Sequence, residues 1–500
     1  MDRENLLPAT IIRDLGEMFM SALTQGGSEL LEADLDGIEQ RLQDLSRRVL
    51  GEVVEAVVTT IATGTAAVRP ACPHCQQSMR LVDRQRARHV QGLVGDYTLV
   101  RPYFVCERCH QGQAPLDERL GLGPGALSPG LARVACRLGI EDSFGEAADA
   151  LQETLRVDVP REAIRRITEG IGQVAEDEEQ EAVTRAQTGH APLIPPNVMP
   201  AGSALLVEVD GAMVHLEEEW HEVKVGLAAP LGPRTHTDPK TERATLVMGK
   251  PSYCAGFESA EVFWYRVYVE ACRQGLGSVG LALIVVVGDG ADWIWRYAAR
   301  FLAIGTAPII EIVDIYHAWE HLGVVAAAVF GAGTPAAFAW VEPLKTTLHD
   351  EGVVPILAAL AVLVPIDPPT DEEERTALDP LAREEVRKAI DPAAREEVRK
   401  AIGYFTTHAT RMDYPHFRAL HLPIGSGAVE SSCKTLIEER EKGAGMRWLK
   451  PDAQTVASLR ALWRSGRWKA FWSTHPQCRR PPVVPRRPTQ LINFDQKQAA

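Results

Sequence analysis

One stretch, Leu281 to Leu322, constrains the fold more than any other: LALIVVVGDGADWIWRYAARFLAIGTAPIIEIVDIYHAWEHL. Its aliphatic run Leu283 to Val287 stops at Gly288-Asp289-Gly290, and a helical spacing (Ile294, Tyr297, Ala298, Phe301) begins at once. Short apolar runs bounded by glycine read as buried strands. Pro308 to Val313 repeats the device and delivers Asp314 and His317 at the mouth of another helix. Strands buried on both faces belong to parallel sheets, and in open α/β sheets chemistry collects at their carboxyl ends. An α/β protein with Asp289, Asp314 and His317 on one sheet edge is expected.

The sequence on either side extends this pattern. Ala204 to Leu216, ALLVEVDGAMVHL, alternates as a strand with Asp210 near its middle, and Val223 to Leu227 and Ala244 to Met248 follow as further strands of a meander. A helix over Ala260 to Arg273 leads to the strand ending at Asp289, so the core order is βββαβαβα. A helical insertion is expected over 322–420. Its first twenty residues, Leu322 to Val341, carry no charge, but Gly331, Gly333 and Pro335 interrupt them, which reads as buried helices rather than a membrane span. In HLPIGSGAVESSCKTLIEER, Ser426 is placed to cap a helix with Val429, Cys433, Leu436 and Ile437 on its buried face and Glu430 and Lys434 on another. The core is thus expected over 204–321 and 421–445.

Upstream, residues 1–66 read as helical, a packing or dimerising element. In 67–115, Cys72-Pro-His-Cys75 and Cys106-Glu-Arg-Cys109 flank a strand-like spacer of thirty residues. Nine cysteines without a secretory-type leader imply a reducing cytoplasm, where paired CxxC motifs bind metal before they form disulfides. Four thiolates give closed tetrahedral Zn²⁺ coordination, hence a structural zinc ribbon on Cys72, Cys75, Cys106 and Cys109, with His74 and His110 as neighbours. Residues 125–186 read as helices separated by a turn at Arg156 to Val159, the outline either of a helix-turn-helix presenting Arg161, Arg165 and Arg166 or of a plain bundle.

The net charge of −14 excludes a uniformly nucleic-acid-coating protein, yet Arg69 to His110 holds seven Arg against three acids and Arg440 to Pro488 twelve Lys/Arg against Glu441 and Asp452. Such local patches suit phosphate backbones, and the region 446–500 is basic with interspersed Trp. Arg447-Trp448, Trp463, Trp468 and Trp472 are candidates for base stacking, some of them for the core.

VEVDGAMV, VVVGDGADWIW, EIVDIYHAWEHL and PIGSGAVESSCKTLIEER...KGAGMRW resemble the motifs of bacterial insertion-sequence DDE transposases of the ISKra family, in the Mutator-like superfamily. With the ribbon, the resemblance covers most of residues 70–472. It implies a ribonuclease-H-like catalytic core with a helical insertion and a metal-dependent polynucleotidyl transferase holding Mg²⁺ (or Mn²⁺) on Asp210, Asp289 and Glu430. Asp314-x-x-His317 matches the superfamily's C/D-x-x-H motif, as a support near the site or as a purely structural pair. It further implies double-stranded DNA partners (terminal inverted repeats and target), a homo-oligomer on DNA, no membrane, and a cytoplasmic, nucleoid-associated protein. The chemistry suits the residues: in-line phosphodiester displacement uses divalent ions held by hard carboxylate ligands.

Two other readings stand beside it. VEVDGAM and VVVGDGAD echo haloacid-dehalogenase phosphatases, whose nucleophile would fall on Glu208, a poor replacement for Asp. A catalytically silent, transposase-derived DNA-binding protein is the other. Finally, DPLAREEVRKAI (Asp379 to Ile390) is followed by DPAAREEVRKAI (Asp391 to Ile402), identical at eleven of twelve positions. Each copy opens with a helix-starting Asp-Pro, so the second is expected to bulge out as a short helix with Val398 and Ile402 inward.

Overall fold

The computed structural model describes residues 33–62, 69–123, 125–190, 199–237, 244–364 and 391–474, with single positions between 13 and 24. The chain divides into two units, Met1–Ala175 with Trp468–Ala500, and Glu176–Arg467.

In the first unit, helix Leu35–Ala62 precedes a three-stranded antiparallel sheet of β1 (Arg80–Val90), β2 (Tyr97–Val105) and β3 (Gly112–Gln113). The helix packs Val54, Val58 and Ile61 against Val90, Leu99 and Leu116, which bears on the packing and not on the dimerising alternative. Gly51 allows the close approach: a Cβ there would lie 2.3 Å from the Asp96 carbonyl oxygen. Two of the ribbon's arginines are used internally, because Asp117 binds Arg88 at 2.7 Å and Arg101 at 2.9 Å.

Helices Pro129–Gly139 and Phe144–Leu155 and the start of Arg161–Gln187 enclose Leu131, Ala135, Leu151, Val157, Val159 and Ile164. Ser143 caps the second helix in a reciprocal pair with Glu146, and Arg156 ends it in the left-handed conformation. The expected turn is there, but the expected groove-facing arginines are not free. Arg165 is bonded to Glu162 at 2.7 Å and Glu169 at 2.5 Å, and Arg166 to Glu162 at 3.0 Å, because the i, i+3 and i, i+4 spacings bring acid and base together. Arg161 remains exposed. Trp468 and Trp472 are 7% and 8% exposed, buried rather than presented to a base.

The second unit is built on a six-stranded mixed sheet, β4 (Ser203–Leu216), β5 (Glu219–Thr237), β6 (Ala244–Met248), β7 (Ser252–Gly256), β8 (Leu281–Gly288) and β9 (Ile309–Val313). The order is β6-β5-β4-β8-β9 with β7 also on β5; β4 is antiparallel to β5 and parallel to β8, which is parallel to β9. The aliphatic run on β8 is buried from Ile284 to Val287, each side chain contributing about 1.5–3 kcal/mol. Helix Ala260–Arg273 has the expected bounds and packs on β4, β5 and β7. Its Arg266, 2% exposed, is held by Glu176 and by Glu258 at 2.5 Å.

The described part of the insertion is helical as expected: the helix Ile315–Phe330 runs into it, followed by Pro335–Glu351, Val354–Leu363, Pro392–Thr407 and Tyr414–Ala419. Gly331, at φ 90°, ends the uncharged stretch's first helix, and no helix among the described residues is long and apolar enough to cross a membrane. The second repeat copy does not bulge out. It forms most of helix Pro392–Thr407, whose Ala394, Val398, Ala401 and Phe405 lie in the main core, because the same residues that make it amphipathic fit the space beside helix Ile315–Phe330. The first copy, Asp379 to Ile390, and the basic positions Arg479, Arg480, Arg486 and Arg487 lie outside the described residues.

Candidate carboxylate site and cysteine cluster

Strand register alone brings two of the expected acids together. Glu208 on β4 is opposite Val287 on β8, the last pair of that ladder, so Asp210, still within β4, and Asp289, one residue past the end of β8, each follow it by two residues on adjacent parallel strands. Gly288 is opposite Val313 on β9, and Asp314 follows directly. Asp289 and Asp314 therefore follow the C-terminal ends of β8 and β9, beside Asp210 in the middle of β4.

Each is fixed locally. Asp210 Oδ1 accepts its neighbour Gly211 N–H at 2.7 Å, and the Cys433 thiol lies 3.6 Å from Oδ2. Asp289 Oδ1 accepts the Ala291 N–H at 2.8 Å. Asp314 is 0% exposed, with Oδ1 accepting the Tyr316 N–H at 2.7 Å and Oδ2 accepting both the Ser426 N–H at 2.8 Å and the Ser426 hydroxyl. It caps its own helix and ties the loop before Glu430 to β9.

Glu430 stands on helix Gly427–Ser432, which continues as a π-helical segment, Cys433–Glu438. Such widened turns recur at functional sites. Val429, Cys433, Leu436 and Ile437 are buried as expected. Ser426 occupies the N-cap position but makes no side-chain cap, since its hydroxyl serves Asp314. The cap comes from elsewhere: the Val429 N–H donates to Glu208 Oε2 at 2.8 Å. Glu208 is a residue that sequence reading treated only as a failed nucleophile. Its signal was present, because residues two apart on a strand share a face, and Glu208 shares that of Asp210.

His317 Nε2 is 3.8 Å from Glu430 Oε1, and its Nδ1 is 3.2 Å from Glu320 Oε2. Asp314, His317 and Glu430 offer ligand atoms within 4.8 Å of one another, a tighter group than Asp210, Asp289 and Glu430 make. Since three donors already satisfy the Asp314 carboxylate, it acts as a tie, and the exposed Glu430 carboxylate is the open ligand of that group.

The acids raise one another. Burial pushes the Asp210 carboxyl up, and Asp289 adds to this against the Gly211 N–H. Burial and then Asp314 raise Glu430. Burial takes Glu208 to about 8, with Asp314, Glu430 and Asp210 reinforcing it against the Val429 N–H. A site that raises three carboxyls together favours a positive charge between them.

In the other unit, the four cysteines converge as expected. Cys72 and Cys109 Sγ are 3.4 Å apart, Cys75 and Cys106 3.4 Å, and Cys75 and Cys109 3.7 Å. Thiolates about 2.3 Å from a tetrahedral ion stand about 3.8 Å apart. The two knuckles are built alike: Gln76 and His110, each following a second Cys, take φ of 58° and donate back to the Cys72 and Cys106 carbonyls at 2.9 Å. Backbone N–H groups of Cys75 and Cys109 hold the Cys72 and Cys106 thiols below their ordinary value, Cys106 at about 6. His74 and His110 are outside the group.

One aromatic expectation fails. Trp448 is 8% exposed, lies under Arg440 at 4.9 Å and donates to the Glu441 carbonyl at 3.2 Å, so it fills the core rather than a base-stacking surface. No protein-family model and no curated protein matches the chain.

Proposed function

We propose that this chain is a DDE transposase, similar to the ISKra family, that binds the terminal inverted repeats of its own element and carries out metal-dependent DNA cleavage and strand transfer. The observation that carries the reading is the register placing Asp210 on β4 beside Asp289 just past the end of β8, with Glu430 on a helix capped by β4. The sheet order supports a ribonuclease-H-like core: counting β6 with β7 as one rung, it reads 3-2-1-4-5, with the first, fourth and fifth strands parallel.

Asp210, Asp289 and Glu430 are the residues that would hold Mg²⁺ or Mn²⁺, hard-ligand ions that activate the attacking oxygen and stabilise the leaving one. The chain's own work is placement. Glu208 and Asp314 fix the entry to the Glu430 helix from two strands, and His317 faces Glu430 where a strand phosphate would approach. The cysteine group would hold Zn²⁺ as a closed structural site, leaving the ribbon to bind DNA. A homo-oligomer on DNA follows from the need to hold two element ends.

The phosphatase alternative would need Glu208 as nucleophile, but its carboxylate is 1% exposed and occupied by Val429. The test is cleavage of DNA carrying the element's terminal repeats, with Mg²⁺ or Mn²⁺, by the wild-type chain and by Asp210→Ala, Asp289→Ala and Glu430→Ala. Each variant should lose cleavage by at least about 10²-fold while still binding the repeat. Near-normal cleavage by any one removes that residue from the triad. Repeat binding without cleavage by the wild type points to the silent DNA-binding protein.

A further inference from the structure

The helical insertion reaches back to the carboxylate edge through one residue. Tyr404, near the end of helix Pro392–Thr407, donates its hydroxyl to the Asp289 carbonyl oxygen at 3.1 Å. Its ring stacks on His321, centroids 3.7 Å apart and planes 26° from parallel. His321 lies one turn beyond His317 on helix Ile315–Phe330, so the stack is backed by the element that carries the Asp314-x-x-His317 motif. Phe405 and His408 meet the same ring edge-on, at 5.4 and 5.0 Å.

The ring also lies directly on Gly290. That residue has φ of 107°, and a Cβ there would come 2.8 Å from Tyr404 Cε2 and 3.0 Å from its hydroxyl oxygen. The glycine is required twice, by the backbone conformation and by the ring against it. With the Gly288 carbonyl accepting the Asp314 N–H at 2.8 Å and the Asp289 side chain accepting the Ala291 N–H, the whole Gly288-Asp289-Gly290 turn is held by named partners. Among the described residues, the Tyr404 bond is the one that acts on the peptide plane that leaves Asp289.

We propose that Tyr404 is a positioning residue for Asp289: clamped between His321 and Gly290, it fixes the Asp289–Gly290 peptide and so aims the Asp289 carboxylate at the ion shared with Asp210. This rests on the DDE reading of the site. Partners that orient a ligand without touching the ion typically change metal affinity by about 10–100-fold. The insertion is then part of the catalytic apparatus and not a spacer between the second and third acids.

The experiment compares the full-length wild type with Tyr404→Phe and Gly290→Ala, following free Mn²⁺ by electron paramagnetic resonance and amide exchange at Asp289 to Ala291. Tyr404→Phe keeps the stack and loses the hydroxyl. It should melt as the wild type does, bind Mn²⁺ about tenfold more weakly, and show faster exchange at Gly290 and Ala291. Gly290→Ala, which displaces the ring, should go further in the same direction. Wild-type Mn²⁺ affinity in Tyr404→Phe overturns the proposal. If the wild type itself binds no Mn²⁺ at the site, the DDE reading fails instead. The clamp is then judged on exchange alone, and unchanged protection overturns it.

Discussion

Glu208 Oε2 accepts the Val429 N–H at 2.8 Å, so a strand of the sheet caps the helix that carries Glu430. The two residues are far apart in sequence, and the bond fixes the distance between Asp210 on that strand and Glu430 on that helix. Glu208→Ala should therefore do two things. It leaves the Val429 N–H with only the Ser426 carbonyl, at 3.0 Å, a loss of about 0.5–1.5 kcal/mol, and it frees the helix entry, lowering cleavage even where the protein stays folded. Glu208→Gln keeps an acceptor oxygen and should lose far less stability. Urea unfolding of the three proteins checks this: equal midpoints for Ala and wild type would mean the bond contributes nothing.

The second prediction is a pH dependence read on Glu441. This carboxyl is 1% exposed, neither oxygen has a hydrogen-bond partner, and burial raises it from 4.5 to about 8, with Arg440 and Arg460 only partly opposing. A carboxyl raised on folding binds its proton more tightly in the folded state. Stability is then greatest below about 4.5, declines as pH rises to about 8, and is flat above, the slope between being up to about 1.4 kcal/mol per pH unit for each such group. Glu208 adds a second decline over the same window in metal-free protein. Glu441→Gln should leave the melting temperature unchanged at pH 4.5 and raise it progressively towards pH 8. A difference independent of pH would show that Glu441 is not protonated in the folded chain.

For the cysteine group, the expected result is one tightly held Zn²⁺ per chain, seen by metal analysis of protein prepared without chelator. Cys72→Ser or Cys106→Ser should release it and raise amide exchange across β1 and β2, because ligand burial and ribbon folding are one event. Metal-free protein with a protected ribbon would contradict this.

Much of this architecture was legible because strong local signals agreed with the tertiary fold. β-Branched runs ending in Asp, after Gly288 on β8 and directly after Val313 on β9, marked both strands and their acids, and Ala260–Arg273 had an unbroken helical period. Strand β7, SYCAG, was missed: it is five residues long with no β-branched side chain, and is held by its pairing to β5. Arg165 and Arg166 misled because a basic helix reads as a DNA surface until Glu162 and Glu169 are seen to pair with them. Strand alternation puts Glu208 on the face of Asp210 but does not give its partner, and Tyr404 has no such signal at all. Their roles are bonds to backbone atoms 221 and 115 residues away, and no local pattern encodes such a partner.

The duplication gives the last prediction. The second copy supplies the buried Ala394, Val398 and Ala401 of helix Pro392–Thr407, with Asp391 capping its start through Ala393 N–H at 3.3 Å. Deleting Asp391 to Ile402 would seem to remove a core helix. It does not, because the first copy then joins Gly403 directly, placing Asp379 at the cap and Ala382, Val386 and Ala389 at the buried positions. The sole difference is Leu381 in place of Ala393, which is exposed. Deleting Asp379 to Ile390 instead leaves the existing helix untouched. Both deletions should fold with the same melting temperature, keep Tyr404 on Asp289, and cleave DNA at least as well as the full chain. The contrast is Val398→Asp in the undeleted chain, which buries a charge in the core and should destabilise it by about 3 kcal/mol or more. If only one deletion folds, the Leu381/Ala393 position decides it and the copies are not interchangeable; if both fail, the twelve extra residues between Val364 and the helix are required for its placement.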